Sequence, residues 1–215
     1  MADILLDVQS APATPSAGQG VIYLDTTSKM LFTKDDSGLY HGAIRRAAVA
    51  AQGAGFATDT YVTNSGLLIP GFGMQAGMTF QWEISASKSG ASTATPVYTV
   101  RIGSAQSTAD TARLTLTGPA QTAIADIGSL FISVTVRSVG GAGVLQGTAF
   151  WSHRGTAAST TVSGTGFAND VTGHVEGTSA GYDNSSQGGL YAGLSINGGT
   201  SSSWTLTQCI GSLEC

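Results

Sequence analysis

Histidine, cysteine and carboxylate side chains are the groups from which a catalytic or metal centre would be built, and this chain spaces them poorly for that work. His41, His153 and His174 are its three histidines, and no two have the close spacing of a metal pair on one helix or strand. His153 shares strand parity with Ala149 and Trp151, which reads as a partly buried, hydrogen-bonded ring. A paired-carboxylate glycosidase needs two carboxyl groups about 5 to 9.5 Å apart across a substrate cleft, and the glutamates are Glu83, Glu176 and Glu214 alone. Asp110 and Asp126 each follow an alanine and precede a β-prone run, where a carboxylate accepts backbone N–H groups in a turn. The serine-rich runs Ser159 to Ser163 and Ser201 to Ser203 lack the Gly-X-Ser-X-Gly elbow of a nucleophile and read as solvated strand ends. The expectation is a protein without catalytic residues, metal or cofactor.

Two further sets of residues invite a binding role. Trp82, Trp151 and Trp204 could stack on sugars, as aromatic faces do, but each shares parity with apolar neighbours, which points to core packing. Cys209 and Cys215 lie within the last seven residues, too late to close a large loop around the main core. They read either as two reduced thiols or as a tail that joins neighbouring subunits, or closes on itself, in an oxidising exterior. The sequon Asn184-Ser185-Ser186 matters only on a eukaryotic secretory route.

Charge narrows the partners. Charged residues make up 10% of the chain, where about a quarter is ordinary, and Lys29, Lys34 and Lys88 are the only lysines. A net charge of −4 gives no footprint for nucleic acid, which needs clustered Lys and Arg; the Arg45-Arg46 pair is too small to supply one. Met1 to Asp7 carries Asp3 and Asp7 where a secretory signal needs a basic start, and no stretch has the apolar length of a membrane span. Synthesis and folding in the cytoplasm, with no membrane partner, are therefore expected.

The elements that must position these residues fall into three regions, and 215 residues suffice for one substantial domain plus a small appendage. Residues 1–46 form an N-terminal β-hairpin module. Val21 to Leu24 and Met30 to Thr33 are short β-prone runs bounded by turn chemistry, Asp25 to Lys29 and Asp35-Asp36-Ser37-Gly38. An isolated sheet of two or three strands is marginal in water, so Ile22, Tyr23, Leu24, Met30, Leu31, Phe32 and Tyr40 are expected to gain burial from another chain or a larger surface. Residues 47–58, within the small-residue run Ala43 to Thr58, form a linker that reads as a short helix or an extended arm.

Residues 59–215 show the period of two that marks half-buried strands. Met78, Phe80, Trp82, Ile84 and Ala86 alternate with Thr79, Gln81, Glu83, Ser85 and Ser87. The same pattern places Tyr98, Val100 and Ile102, then Ala112, Leu114 and Leu116, then Leu130, Ile132, Val134 and Val136 on core faces. Tyr61 to Ile69, Val144 to His153, Gly173 to Thr178, Leu190 to Ile196 and Trp204 to Ile210 are further strands, separated by glycine-rich breaks. Eight to ten such strands give an all-β fold with a C-terminal antiparallel β-sandwich, best read as a jelly roll.

The order of these elements carries a resemblance. The apolar-Pro-Gly turn Ile69-Pro70-Gly71, the small-residue hairpin Lys88 to Thr95, the strand end Arg101 to Gly103 and the strand start Asp110 to Ala112 resemble a family of tailed-bacteriophage virion proteins with a trimeric jelly-roll domain. The Lys34-Asp35-Asp36-Ser37-Gly38 piece is similar to the short β-modules with which phage fibres and head decorations begin. The resemblance implies a structural virion component assembled in the host cytoplasm: a homotrimeric capsid decoration (cement) protein or head fibre. Its N-terminal module would bind the major capsid protein or other neck and tail proteins. The alternative it implies is a collar or tail fibre holding host glycans through distal loops at Asp170 to Gly173 and Tyr182 to Gly189. A bacterial adhesin or lectin is a third class.

Overall fold

Alternation of apolar and polar residues over ten-residue runs forces each strand to bury one face, and two sheets closing on each other satisfy that demand. The computed structural model describes residues 8–48, 50–89, 93–121, 125–155, 170–200 and 203–215. A small N-terminal sheet is built from β1 (Val8–Gln9), β2 (Val21–Asp25), β3 (Leu31–Lys34) and β4 (Tyr40–His41), in that spatial order, with β1 parallel to β2 and the other pairs antiparallel. Four short strands follow: β5 (Ala43–Ala47), β6 (Gln52–Gly55), β7 (Thr60–Tyr61) and β8 (Leu67–Leu68). The long strands are β9 (Thr79–Lys88), β10 (Val97–Gly103), β11 (Thr111–Thr117), β12 (Asp126–Ser138), β13 (Val144–Gly155), β14 (Asp170–Thr178), β15 (Tyr191–Asn197) and β16 (Trp204–Glu214). Among the described residues there is no helix.

The long strands form two sheets. The larger runs β14-β13-β12-β9-β16-β5, with β6 also on β16; the smaller runs β11-β10-β15-β7, with β8 also on β15. All pairs in both sheets are antiparallel. Among the long strands the chain crosses from the larger sheet to the smaller between β9 and β10 and again between β14 and β15, and returns between β11 and β12 and between β15 and β16. Because β9 pairs β16 while β10 pairs β15, the first crossing lies beside the last, as in a jelly-roll-like sandwich.

The core is the set of inward residues that the period of two marks: Met78, Phe80, Trp82 and Ile84 on β9 and its approach, Ile132, Val134 and Val136 on β12, and Leu194 and Ile196 on β15, all essentially without solvent contact. Trp82 also donates its indole N–H to the Ser65 carbonyl at 2.8 Å, so its polar atom is satisfied inside the core. Ser65 in turn donates its hydroxyl to, and accepts the backbone N–H of, Leu194. Gly147 and Gly177 face each other across β13 and β14. A Cβ on Gly147 would stand 2.4 Å from Leu114 Cδ2, and one on Gly177 2.8 Å from Leu116 Cδ2, so the missing side chains let β11 seat its leucines against the larger sheet.

Several details depart from the periodic reading. Ala112 is exposed, because the β10–β11 register shifts between Val100 and Arg101 so that Arg101 pairs Ala112 while Val100 pairs Leu114; a bulge reverses parity beyond it. The run Tyr61 to Ile69 is two two-residue strands around a turn in which Asn64 has φ 63°. Asp170 to Gly173, expected as a loop, opens β14 and pairs β13. The residues between the two regions are extended: β5 and β6 both pair with β16, so Ala43 to Ala47 adds a strand to the larger sheet. The serine run Ser159 to Ser163, Ser201 and Ser202, and the side chains of Asp126 and His153 lie outside the described residues.

Removing the central indole should expose how much the sandwich depends on it. Trp82→Ala is expected to lower unfolding free energy by about 3–5 kcal/mol, read as a fall in the urea midpoint; a loss below about 1 kcal/mol would contradict full burial.

Candidate functional site

The N-terminal sheet has too few strands to hold itself flat, and the structure supplies its missing layer from the turn that begins Ile69-Pro70-Gly71. Tyr40 stacks on Phe72 with ring centroids 3.9 Å apart and planes 1° from parallel, and Phe32 meets the same ring edge-on at 5.4 Å. Tyr23 packs on both Phe32 and Tyr40 at about 6 Å. Gln75 behaves like one residue of an adjoining strand: its side-chain oxygen accepts the Tyr40 N–H at 3.1 Å and its amide donates to the Tyr40 carbonyl at 2.6 Å. Asp25, fully buried, accepts the N–H groups of Thr27, Ser28 and Gly71 and the Ser28 hydroxyl through one oxygen. Lys34 lies 4.7 Å over the Tyr40 ring and donates to the Pro12 carbonyl. Gly42 completes the fit, since a Cβ there would stand 2.3 Å from the Phe32 ring.

Period-two geometry then divides the seven residues expected at an attachment surface. Tyr23 and Phe32 are buried against the chain's own sandwich, and Tyr40 is half-buried beside them. Ile22, Leu24, Met30 and Leu31 face away, with Ile22 58% and Leu31 52% exposed. Leu24 pairs with Val8 on one side and Leu31 on the other, so Val8, Leu24 and Leu31 form one apolar stripe across three strands. Val8 also belongs to this surface, and its membership depends on a parallel pairing that no local pattern announces.

The β3–β4 turn, at the end of β3 away from Leu31, is held by a carboxylate. Asp35 accepts the Ser37 N–H and hydroxyl and the Leu39 N–H, and His41 Nε2 lies 2.9 Å from its other oxygen. The His41 contact first, then Ser37, with Leu39 adding a backbone bond, holds the Asp35 carboxyl well below the usual carboxylate range. A depressed folded-state pKa means the turn is favoured above the unfolded carboxylate value of about 4 and loses that support only as pH falls through the lower folded value.

The remaining expected sites are placed as follows. Asp110 accepts the N–H groups of Ala105 and Ser107, and Arg101 donates to the carbonyls of Thr108 and Asp110, which close the β10–β11 turn, and to Ser195 and Asp59, which tie that strand to β15 and to the residue before β7. Tyr182 to Gly189 is anchored by the buried Asn184, which accepts from Gly140 and donates to Ser138. Its Gly188 lies against the Gly71 carbonyl, so this loop stands at the end of the sandwich that carries the N-terminal sheet. Cys209 lies in β16 and Cys215 directly follows its last residue, and both are free. Six positions of extended chain separate them by about 20 Å, so a bond between the two within one chain is closed by geometry. Burial raises their pKa values to about 11 and about 12. Among the described residues no cluster of His, Cys, Asp or Glu could hold a metal ion.

At the opposite end, beyond the strand starts of β12 and β16, a cleft opens between the sheets. Trp151, Trp204, Tyr98, Pro96 and Leu130 line it, with Gln121 at the rim. Gln121 accepts the Trp204 indole N–H at 2.8 Å. Both tryptophans pack on the core, as expected, while also walling the cleft.

The fold and surface together define a β-sandwich with a firmly docked four-stranded sheet whose outer face is apolar. No family model matches this chain, and no curated protein matches it.

Three measurements check this geometry. Phe72→Ala, which removes the ring beneath Tyr40 and Phe32, should speed proteolysis within residues 9–41 while cleaving the sandwich no faster. Native protein at pH 8 should alkylate slowly at both cysteines and fully in denaturant, with no mass loss from oxidation within the chain. Hydrogen exchange at the Leu39 amide should stay slow at pH 4 and accelerate on further acidification; acceleration already near pH 5 would contradict the sign argued for Asp35.

Proposed function

We propose that this chain is a structural component of a tailed-bacteriophage virion, a homotrimeric capsid decoration or head-fibre protein. The N-terminal sheet attaches it to the major capsid protein or to neck and tail proteins, and the sandwich projects outward. One observation carries the reading: the sheet is fixed on its inner face by Phe72, Gln75 and Asp25 contacts yet leaves Ile22, Leu31 and Val8 each more than 40% exposed on its outer face. A rigid apolar stripe of this kind gains roughly 25 cal/mol per Å² when covered, with little ordering cost because the sheet is already held. Three such stripes on one trimer act together, since the first contact raises the effective concentration of the others.

A second reading has its own support. The distal cleft with Trp151 and Trp204 lies at the end away from the N-terminal sheet, where a collar or tail fibre would hold host glycans on aromatic faces.

Ile22→Asp with Leu31→Asp, two outward substitutions, should leave the circular dichroism spectrum unchanged and abolish co-sedimentation with particles lacking the protein. Undiminished binding by this variant would overturn the attachment reading, and loss of glycan-array binding in Trp151→Ala with intact particle binding would favour the fibre alternative.

A further inference from the structure

The larger sheet has a second face, turned from the core, and its composition is unlike an ordinary solvated surface. Phe131 pairs directly with Phe150, and they are 40% and 47% exposed. Glu83 lies beside Phe131 and His174 beside Phe150 in the same row. Ile127, 51% exposed, continues the apolar surface along β12. The row next to the phenylalanines reads Arg45, Ser212, Gln81, Ser133, Thr148, Glu176 from the β5 margin to the β14 margin. Its centre is neutral, with a cation at one border and an anion at the other.

We propose that this face is buried against further copies of this chain, packed head to tail around an axis so that the Arg45 margin of one copy meets the Glu176 margin of the next. The proposal rests on the homotrimer reading only for the number of copies. Neutral Ser, Thr and Gln side chains bond to one another when covered and strand no charge, whereas a face of ordinary charge density would carry a heavy desolvation cost. Phe131 and Phe150 supply the apolar centre that an interface core requires. Opposite charges at the two margins favour the head-to-tail register and oppose a copy turned the other way; one row along, Glu83 and His174 carry the reverse order, and His174 Nε2 lies 3.4 Å from Glu176 Oε1 on the same strand, so Arg45 and Glu176 alone set the register. Six strands spaced 4.8 Å and about ten residues in length give a face of about 800 Å²; a closed ring divides it between two neighbours, so each pairwise contact is small and the assembly holds through closure of the ring. Arg137 and Glu214 are exposed and lie at the end nearest the N-terminal sheet, outside the phenylalanine rows.

Sedimentation velocity of the full chain at micromolar concentration tests this. A single three-copy species is expected, with Phe131→Glu/Phe150→Glu giving a monomer of unchanged circular dichroism; Phe131→Ser/Phe150→Ser serves if the first variant fails to fold. Arg45→Glu and Glu176→Arg should each weaken association by about tenfold at low salt, and the two combined should restore it. A wild-type monomer overturns both the face and the trimer. An oligomer untouched by the phenylalanine variants overturns the face and leaves the trimer standing. A two-copy species lost in those variants supports the face and overturns the copy number.

Discussion

The register in which the inner faces interlock governs what the outside of this molecule can be. Trp82 opposes Ile132 and Phe80 opposes Val134 across β9 and β12, and all four are buried to within 1%. A slip of one residue would send that whole set outward and bring Glu83 and Gln81 into the core, so the register admits no alternative. Once it is fixed, Phe131, Phe150 and the serine and threonine rows have no choice but to face away. The outer surface of the larger sheet is thus a consequence of core packing, and its apolar centre survives on a face where solubility alone would place charge.

The same logic acts on a smaller scale at the front of the chain. Four short strands cannot build a core, but the turn that leaves β8 (Leu67–Leu68) offers an aromatic ring and a side-chain amide where a fifth element would sit. Phe72 supplies the apolar layer and Gln75 bonds both backbone groups of Tyr40, while the Tyr23 hydroxyl and Asp25 Oδ1 stay buried without a partner. Burial by the chain's own sandwich therefore accounts for Tyr23 and Phe32, and the surplus apolar area is confined to the outer stripe of Val8, Leu24, Leu31 and Ile22. This division sharpens the attachment proposal: a surface for a partner is separated, residue by residue, from the contacts that keep the module in place.

Scarcity of charge shapes the rest. Three of the buried ionic groups are held by uncharged partners: Asp25 by three donors of its own turn and the Gly71 N–H, Asp110 by the loop it closes, and Lys34 by a carbonyl and a ring. The neutral hydroxyl-rich surface that remains is suited to burial against like surfaces, and it links the proposed self-association to the composition of the whole chain.

Period-two alternation revealed β9, β10, β12 and their inward residues directly, because each such strand sees core on one side and water on the other. It also showed that residues 21–41 form strands short of a core, and that Asp110 would close a turn. The tertiary structure alone decided which apolar residues of the first sheet remain outside, since Phe32 and Leu31 look equally available until Phe72, distant in sequence, covers one and not the other. It alone placed Ala43 to Ala47 in the larger sheet, because a small-residue run has no apolar period and its partner, the edge of β16 (Trp204–Glu214), lies more than 150 residues away. It alone displaced Ala112 through a bulge and brought Tyr182 to Gly189 to the end that carries the N-terminal sheet. Local sequence dictates which face of a strand is apolar; only long-range pairing decides what that face meets.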